Sequence, residues 1–383
     1  MRAVVIDSEV LDPRHSEDSF YKTKTANRHL QHPKVLLADL PEPHLGPTDI
    51  LINIRACGLC GSDIAMTSTD TDGFVQYPFM MSSFIVPGHE FAGQVALYGK
   101  DVRTYWPDIQ VGDCVTAQCV LNCGYCNACK VGLFDSCEHG DEIGFTKNGG
   151  LAQFCVVDMR HVWNLAPLLR TFDTVANVFL AGSLVEPHAG VFKAITESNF
   201  APGDSVLVLG LGPIGLAAVN IFQALGAGSI IGCDPSSRRR TLAKDIGASC
   251  VYDPTAIPMQ IAVELETRNQ GVSVIFEASG VAEKNWEGIT EIIAMGKPNI
   301  QLIFFGQSKK DLVINPQPFI QKYVRFSGSH GHTKVWDRLI KLFAAKRINP
   351  LKMITQTISL EIIPVLLPLG LFGTNEGKIT AIL

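Results

Sequence analysis

The sequence predicts an α/β protein in two parts, a β-rich domain followed by a doubly wound parallel sheet. Three observations carry that expectation. The first half is rich in short strand-like runs broken by Pro, Gly and Asp. A later stretch alternates continuous apolar runs with helical segments, the pattern of βαβ units whose strands are covered on both faces. The chain is 383 residues long, too long for one small core and suited to two.

Composition excludes several roles. With 46% hydrophobic and 18% charged residues, the chain has ample material to bury. Its formal net charge of −5 argues against nucleic-acid and membrane-surface partners, which need a basic footprint. No apolar run reaches the roughly 18 residues of a spanning helix. The start, "MRAVVIDSEVLDPRHSEDSF", opens as a strand and soon becomes charged, unlike a secretory leader. The expected compartment is the cytoplasm, where thiols stay reduced.

Taken in order, the first domain is expected over 1–170. A polar segment between Ser8 and Pro33 reads as a surface excursion. "KVLLADLP", "DILINIRACG" and "EFAGQVALYG" read as strands, joined by "VGDCVTAQCV" and "LAQFCVVD". The second domain is expected over 171–325. There "SVLVLG" is a buried strand, "PIGLAAVNIFQALGA" a helix and "SIIGCD" a second strand; "VSVIFEASG" and "IQLIFFG" repeat the strand-then-glycine pattern. Residues 326–383 are expected to complete the first domain, with "GKITAIL" pairing against it.

Cys123, Cys126, Cys129 and Cys137 form C-x2-C-x2-C-x7-C. Four thiolates so spaced can surround one zinc ion and leave no place for substrate, which makes the site structural. Gly124 and Gly132 let the chain turn tightly between them. An iron–sulfur cluster also uses four cysteines, but its bacterial run has a different last spacing and a following proline. Cys119 falls outside the pattern.

Gly210-Leu211-Gly212-Pro213-Ile214-Gly215 is G-x-G-x-x-G, and it follows a buried strand and opens a helix. That context makes it a dinucleotide site: a tight turn, a close approach to the pyrophosphate and a helix N-terminus behind it. Asp234 ends the second strand where a carboxylate bonds the adenosine ribose and repels a 2′-phosphate, so NAD is expected over NADP. Arg238, Arg239 and Arg240 follow it; Arg239 would touch the cofactor, or the three form a solvated helix start.

A nicotinamide enzyme must polarise an alcohol or carbonyl oxygen, and an open metal site does that. "RACGLCGSD", "VPGHEFAG" and "SLVEPHAG" offer a thiolate, an imidazole and carboxylates, leaving a further position on zinc. His89 could equally be a satisfied structural histidine, and Glu186 a helix cap. Cys57 with Cys60 could form a redox pair.

The motifs CGSD, GHE, the four-cysteine lobe and G-x-G-x-x-G occur in the order seen in the zinc-dependent medium-chain dehydrogenases, the alcohol dehydrogenase superfamily. The chain resembles that family over nearly its whole length, and is most similar to its polyol, sugar and threonine dehydrogenase branch. The resemblance implies a GroES-like catalytic domain beside a Rossmann domain, one catalytic and one structural zinc, and a small-molecule alcohol or ketone as substrate. It implies Cys60 and His89 as zinc ligands, Glu186 as the third, and Glu90 as a partner of the ligands, an alternate ligand or a catalytic residue. Ser62 would bond the substrate oxygen and pass on its proton, and Cys57 would pack. A homodimer or homotetramer built through the dinucleotide domains is implied as well.

Two departures stand out. Many relatives carry a histidine shortly after CGSD, where this chain has Ala65. The link Thr67 to Pro87 is long, and its Phe74, Tyr77, Phe79, Met80 and Met81 either line the substrate cleft or pack as a surface loop. The leading expectation is an NAD- and zinc-dependent dehydrogenase of a polyol, sugar or cyclitol. The alternatives are a dehydrogenase of threonine-like amino alcohols or simple alcohols, and a non-catalytic dinucleotide- and zinc-binding protein on the same fold.

Overall fold

Strand Asp49–Gly58 alternates, with Ile50, Ile52, Ile54 and Ala56 buried on one face and Asp49, Asn53 and Arg55 half-buried on the other, and it has neighbours on both edges. In the computed structural model, which describes residues 1–10, 29–307, 310–370 and 377–383, it is the middle of a seven-stranded sheet. Glu90–Tyr98 runs antiparallel along one edge, and Cys114–Ala117 then Val162–Asn164 continue the sheet outward. On the other edge Phe154–Asp158 pairs with residues 49–53 and Lys378–Ile382 with Ala56–Gly58. A smaller sheet joins Arg2–Val10 to Leu30–Asp39 and Phe84–Ile85. Ile50, Ile52, Ile54, Phe91 and Val115 are fully buried in the core of this unit. Most of the segment expected as a surface excursion, 11–28, lies outside the described residues.

The second unit holds six parallel strands. In chain order they are Ser205–Leu209, Ser229–Cys233, Cys250–Tyr252, Val274–Glu277, Gln301–Phe304 and Arg325–Gly328, and across the sheet they run third, second, first, fourth, fifth, sixth. That reversal beside the first strand is the switch point of a doubly wound sheet, where ligands sit at the strands' carboxyl ends.

The units divide at other residues than those expected. The first comprises Met1–Glu186, Gln356–Gly373 and Lys378–Leu383; the second comprises Pro187–Thr355 and Thr374–Gly377. Helix Val175–Ser183 packs on strands Asp49–Gly58 and Glu90–Tyr98, which carries the first unit past 170. Strand Arg325–Gly328 pairs in parallel with Gln301–Phe304, which carries the second unit past 325.

The turn after the first parallel strand depends on two glycines. Gly210 has φ +83°, and a Cβ on Gly215 would stand 1.8 Å from the Gly210 carbonyl oxygen. Helix Pro213–Ala224 can therefore start directly behind the turn only with hydrogen at residue 215. Gly215→Ala is expected to cost about 1–3 kcal/mol through this overpacking and to weaken dinucleotide binding. Urea denaturation and a fluorescence titration with NADH read both effects; an unchanged midpoint would contradict the packing.

Candidate active site

The four cysteines of the lobe are free thiols whose sulfur atoms all lie within 4.8 Å of one another. Cys123 Sγ is 4.0 Å from Cys129 Sγ, and Cys126 Sγ is 3.8 Å from Cys137 Sγ. These separations are far beyond a disulfide's ~2 Å. Gly124 and Gly132, both at positive φ, allow the winding. Backbone amides point into the cluster: Cys123 N–H donates to Cys137 Sγ at 3.2 Å and Cys126 N–H to Cys123 Sγ at 3.4 Å. The Cys129 amide lowers the Cys126 thiol to about 6, while desolvation raises Cys129 to about 12. One sulfur thus gives up its proton readily, and a divalent cation would displace the others. The donor set fits a closed zinc site.

The second cluster forms where strand Asp49–Gly58 ends and helix Gly61–Thr67 begins. Cys60 caps that helix, and its N–H donates to Asp63 Oδ2 at 2.8 Å. His89 and Glu90 enter from the neighbouring strand. One ligand atom each from Cys60, His89 and Glu90 lie within 4.8 Å of one another. Burial alone would pull the His89 imidazole down, but its bond to Cys60 and the charges of Cys60, Glu186 and Asp63 hold it well above the ordinary value. An imidazole so placed holds a proton that a divalent cation would replace. His89 Nδ1, Asp63 Oδ1 and Ser62 Oγ are buried without a hydrogen-bond partner among the described residues. The donor set fits an open metal site, with the Ser62 hydroxyl beside it lacking a partner among the described residues.

Glu90 also faces a partner that the sequence reading did not single out. Lys378, on the last strand, makes a buried ion pair with it, and both side chains are almost wholly out of water. A Cβ on Gly58 would touch Glu90 Oε2 and stand 2.8 Å from Lys378 Cε, so this close approach needs glycine. Burial would lower the lysine, yet Glu90 and Cys60 raise it. Lysine in "EGKITAIL" has no local signal of this role; only the pairing of the two strands brings it inside.

Glu186 is placed differently from its expected position among Cys60 and His89. It stands in the first turn of helix Val185–Thr196, and its carboxylate groups with the Cys119 thiol rather than with the tight Cys60 cluster. Burial pushes it up to about 7, with Glu90 and Glu142 adding to the shift and His89 and Lys378 opposing it. Of the two carboxylates, Glu90 is therefore the nearer to Cys60 and His89. Cys57 is buried in the core, and burial raises its thiol well above the ordinary value, as a packing residue requires. In the long link, Tyr77 stacks on Phe145 at 5.1 Å, and the Phe145 ring lies 4.9 Å from that of His89. Tyr77 and Met81 are buried, while Phe74, Phe79 and Met80 are only partly covered.

In the second unit, Asp234 is buried at the end of its strand, as the dinucleotide motif requires. Its Oδ2 accepts the Leu211 N–H at 2.8 Å and its Oδ1 the Ser236 N–H at 2.8 Å. Arg239 Nη1 lies 3.9 Å from Asp234 Oδ2, and its guanidinium is 3.8 Å from where a Cβ on Gly212 would stand. Arg240 is engaged elsewhere, donating to Asp253 Oδ2 at 3.1 Å and to the Asp234 carbonyl at 2.7 Å. Pro213 and Ile214 open the helix behind the glycine turn.

Comparison with known proteins agrees with this arrangement. Residues 46–167 match the family described as the alcohol dehydrogenase GroES-like domain, and residues 213–345 that described as zinc-binding dehydrogenase. Over 342 residues the chain is 35% identical to scyllo-inosose 3-dehydrogenase of Thermotoga maritima, covering 87% of this chain and 86% of that one. A solved structure from Thermotoga maritima, provisionally assigned as an alcohol dehydrogenase, superposes with a TM-score of 0.93 at 33% identity over 100% of both chains. Another, from Sinorhizobium meliloti, provisionally assigned as a zinc-binding dehydrogenase and bound to NADP, has a TM-score of 0.79 at 25% identity, again over 100% of both chains.

Removing one member of a buried ion pair strands the other. Lys378→Ala is expected to destabilise the protein by about 3–5 kcal/mol, read by urea denaturation at neutral pH. A loss near that of an exposed lysine would contradict the pairing with Glu90.

Proposed function

Because the chain belongs to the zinc-dependent alcohol dehydrogenase superfamily, we propose that it transfers a hydride between NAD and a secondary alcohol or ketone of a polyol, sugar or cyclitol. The observation that carries the chemistry is the Cys60–His89–Glu90 cluster beside the unpartnered Ser62 hydroxyl. The substrate class rests on the similarity to a relative named for a cyclitol ketone.

Cys60 and His89 would hold the catalytic zinc, with a carboxylate from Glu90 or Glu186, and Cys123, Cys126, Cys129 and Cys137 the structural one. When bound, zinc supplies Lewis-acid polarisation of the carbinol oxygen, and the nicotinamide supplies the hydride acceptor. The chain's own residues do the rest. Ser62 Oγ, buried and without a partner among the described residues, would accept the carbinol hydroxyl proton as it passes its own proton on to water or to a cofactor hydroxyl, so that it relays one proton and keeps none. Asp63 fixes the turn on which Ser62 sits. Lys378 pairs with the Glu90 carboxylate and holds that side chain in place beside Cys60. Phe145 covers His89 and excludes water from that side.

For the cofactor, each Asp234 oxygen accepts one backbone amide and keeps a lone pair for a ribose hydroxyl, which supports NAD. Arg239 offsets part of that charge and keeps NADP as the second candidate. Thiols that must stay reduced to hold zinc support a cytoplasmic enzyme. Assembly as a homodimer or homotetramer is supported by the sheet edge at Arg325–Gly328, where Phe326 is 49% and Tyr323 73% exposed.

Reduction of NAD and NADP should be followed across cyclitols, polyols, threonine and butanediol. The reading expects turnover on a polyhydroxylated secondary alcohol with NAD preferred. Turnover on threonine or butanediol alone would give the substrate to the amino-alcohol or simple-alcohol alternative. No turnover at all would favour a non-catalytic binding protein. Ser62→Ala is expected to lower kcat about 100-fold or more with zinc content unchanged. Phe326→Lys is expected to reduce the mass measured by light scattering, and an unchanged mass would move the interface elsewhere.

A further inference from the structure

The four-cysteine lobe is the loop of a hairpin. Strand Val120–Leu121 pairs antiparallel with Asp141–Glu142, and Cys123 to Cys137 lie between the two arms. The Ile143 N–H then donates to the Cys119 carbonyl at 2.9 Å, and the chain turns at once. The Glu142 carbonyl accepts the N–H groups of Phe145 at 3.1 Å, Thr146 at 2.9 Å and Lys147 at 3.0 Å. The Glu142 N–H donates to Thr146 Oγ1 at 2.9 Å, and that hydroxyl donates to Asp141 Oδ1 at 2.9 Å. A lobe closed around a metal therefore fixes the place of this turn.

The turn delivers two side chains toward the Cys60–His89 cluster. Phe145 forms a wall with Tyr77 over the His89 ring. Glu142 is the other. Its backbone is spent on the turn, whereas among the described residues its carboxylate has no hydrogen-bond or ion-pair partner, although it is only partly exposed. Glu142 shares this tight turn with Phe145, whose ring lies against His89, so the turn sets Glu142 beside the metal-binding cluster, and its carboxyl interacts through its charge with His89, Tyr77 and Glu186. Burial pushes it up to about 7. A half-buried carboxylate without donors is costly, and hydroxyl groups brought by a ligand would relieve it.

We infer that Glu142 is a substrate-recognition residue, its carboxylate accepting the hydroxyl groups that flank the reacting carbinol of a polyhydroxylated alcohol, with Tyr77 and Phe145 as the apolar wall. The inference rests on the polyhydroxylated-alcohol reading above and adds the residue that enforces it. A simple alcohol has one hydroxyl, which the reaction occupies, so it would desolvate Glu142 without satisfying it. A site built to bond hydroxyls rejects the analogue that lacks them.

The test uses the zinc-loaded enzyme and Glu142→Gln, which keeps the side chain's size, with Glu142→Asp as a second variant if the first loses zinc. Kinetics are measured on a cyclitol and on 2-butanol, alongside the rise in Tm that the cyclitol produces. Loss of the anionic acceptor is expected to lower kcat/KM for the cyclitol about 10- to 100-fold, chiefly through KM. The cyclitol's protection against heat should be lost as well, while kcat/KM for 2-butanol should rise, because the charge that it desolvates without satisfying is gone. Equal losses on both substrates, or no loss on the cyclitol, would overturn the role of Glu142. A wild type that neither binds nor oxidises any polyhydroxylated alcohol would instead remove the functional reading, and this role with it.

Discussion

Strand Asp49–Gly58 ends between two charges that have almost no access to water, Glu90 on one neighbouring strand and Lys378 on the other. The pair closes over Gly58, two residues before Cys60, and Glu90 directly follows His89. Neither charge could be buried alone at tolerable cost. The C-terminal strand must therefore be in register before the metal-ligand segment is complete. The last residues of the chain thus govern a site whose other members lie in its first half.

Around that pair the charge is strongly negative. Cys60, Glu90, Glu186 and Glu142 act on one imidazole and one lysine, and the carboxyl groups of Glu186 and Glu142 both rise to about 7. A dense set of anions held out of water, with buried polar atoms left unpartnered at Ser62 and His89, is what a divalent cation and a hydroxylated ligand would relieve. The lobe lacks such acids among its donors and offers four sulfurs turned inward. The two clusters differ as an open site differs from a closed one, and the hairpin of Val120–Leu121 with Asp141–Glu142 links them.

Much of this was legible in the sequence because the signals are local. The cysteines of the lobe and the G-x-G-x-x-G turn each act within a few residues, so spacing predicts them, and the family resemblance picks out the Cys60-Gly61-Ser62-Asp63 segment. Strand Asp49–Gly58 announces itself by alternation and Ser205–Leu209 by a continuous apolar run. What escaped depends on contacts far apart in the chain. The sequence left Glu90 and Glu186 as alternative ligands; Glu90 is the one grouped tightly with Cys60 and His89, and strand pairing rather than motif order sets that distance. Lys378 and Glu142 look like ordinary surface residues until the sheet and the hairpin close over them. The domain limits moved for the same reason: Arg325–Gly328 is a short polar-looking strand that only its parallel neighbour identifies.

The most direct test of an open metal site at Cys60 is zinc per chain, measured in the wild type, in Cys60→Ala and in Cys137→Ala. The account predicts two zinc ions in the wild type and one in each variant, with the ion lost from Cys60→Ala being the one that turnover requires. A single ion in the wild type, retained by Cys60→Ala and lost from Cys137→Ala, would mean that only the lobe binds metal. The dehydrogenase chemistry assigned to Cys60, His89 and Ser62 would then be wrong.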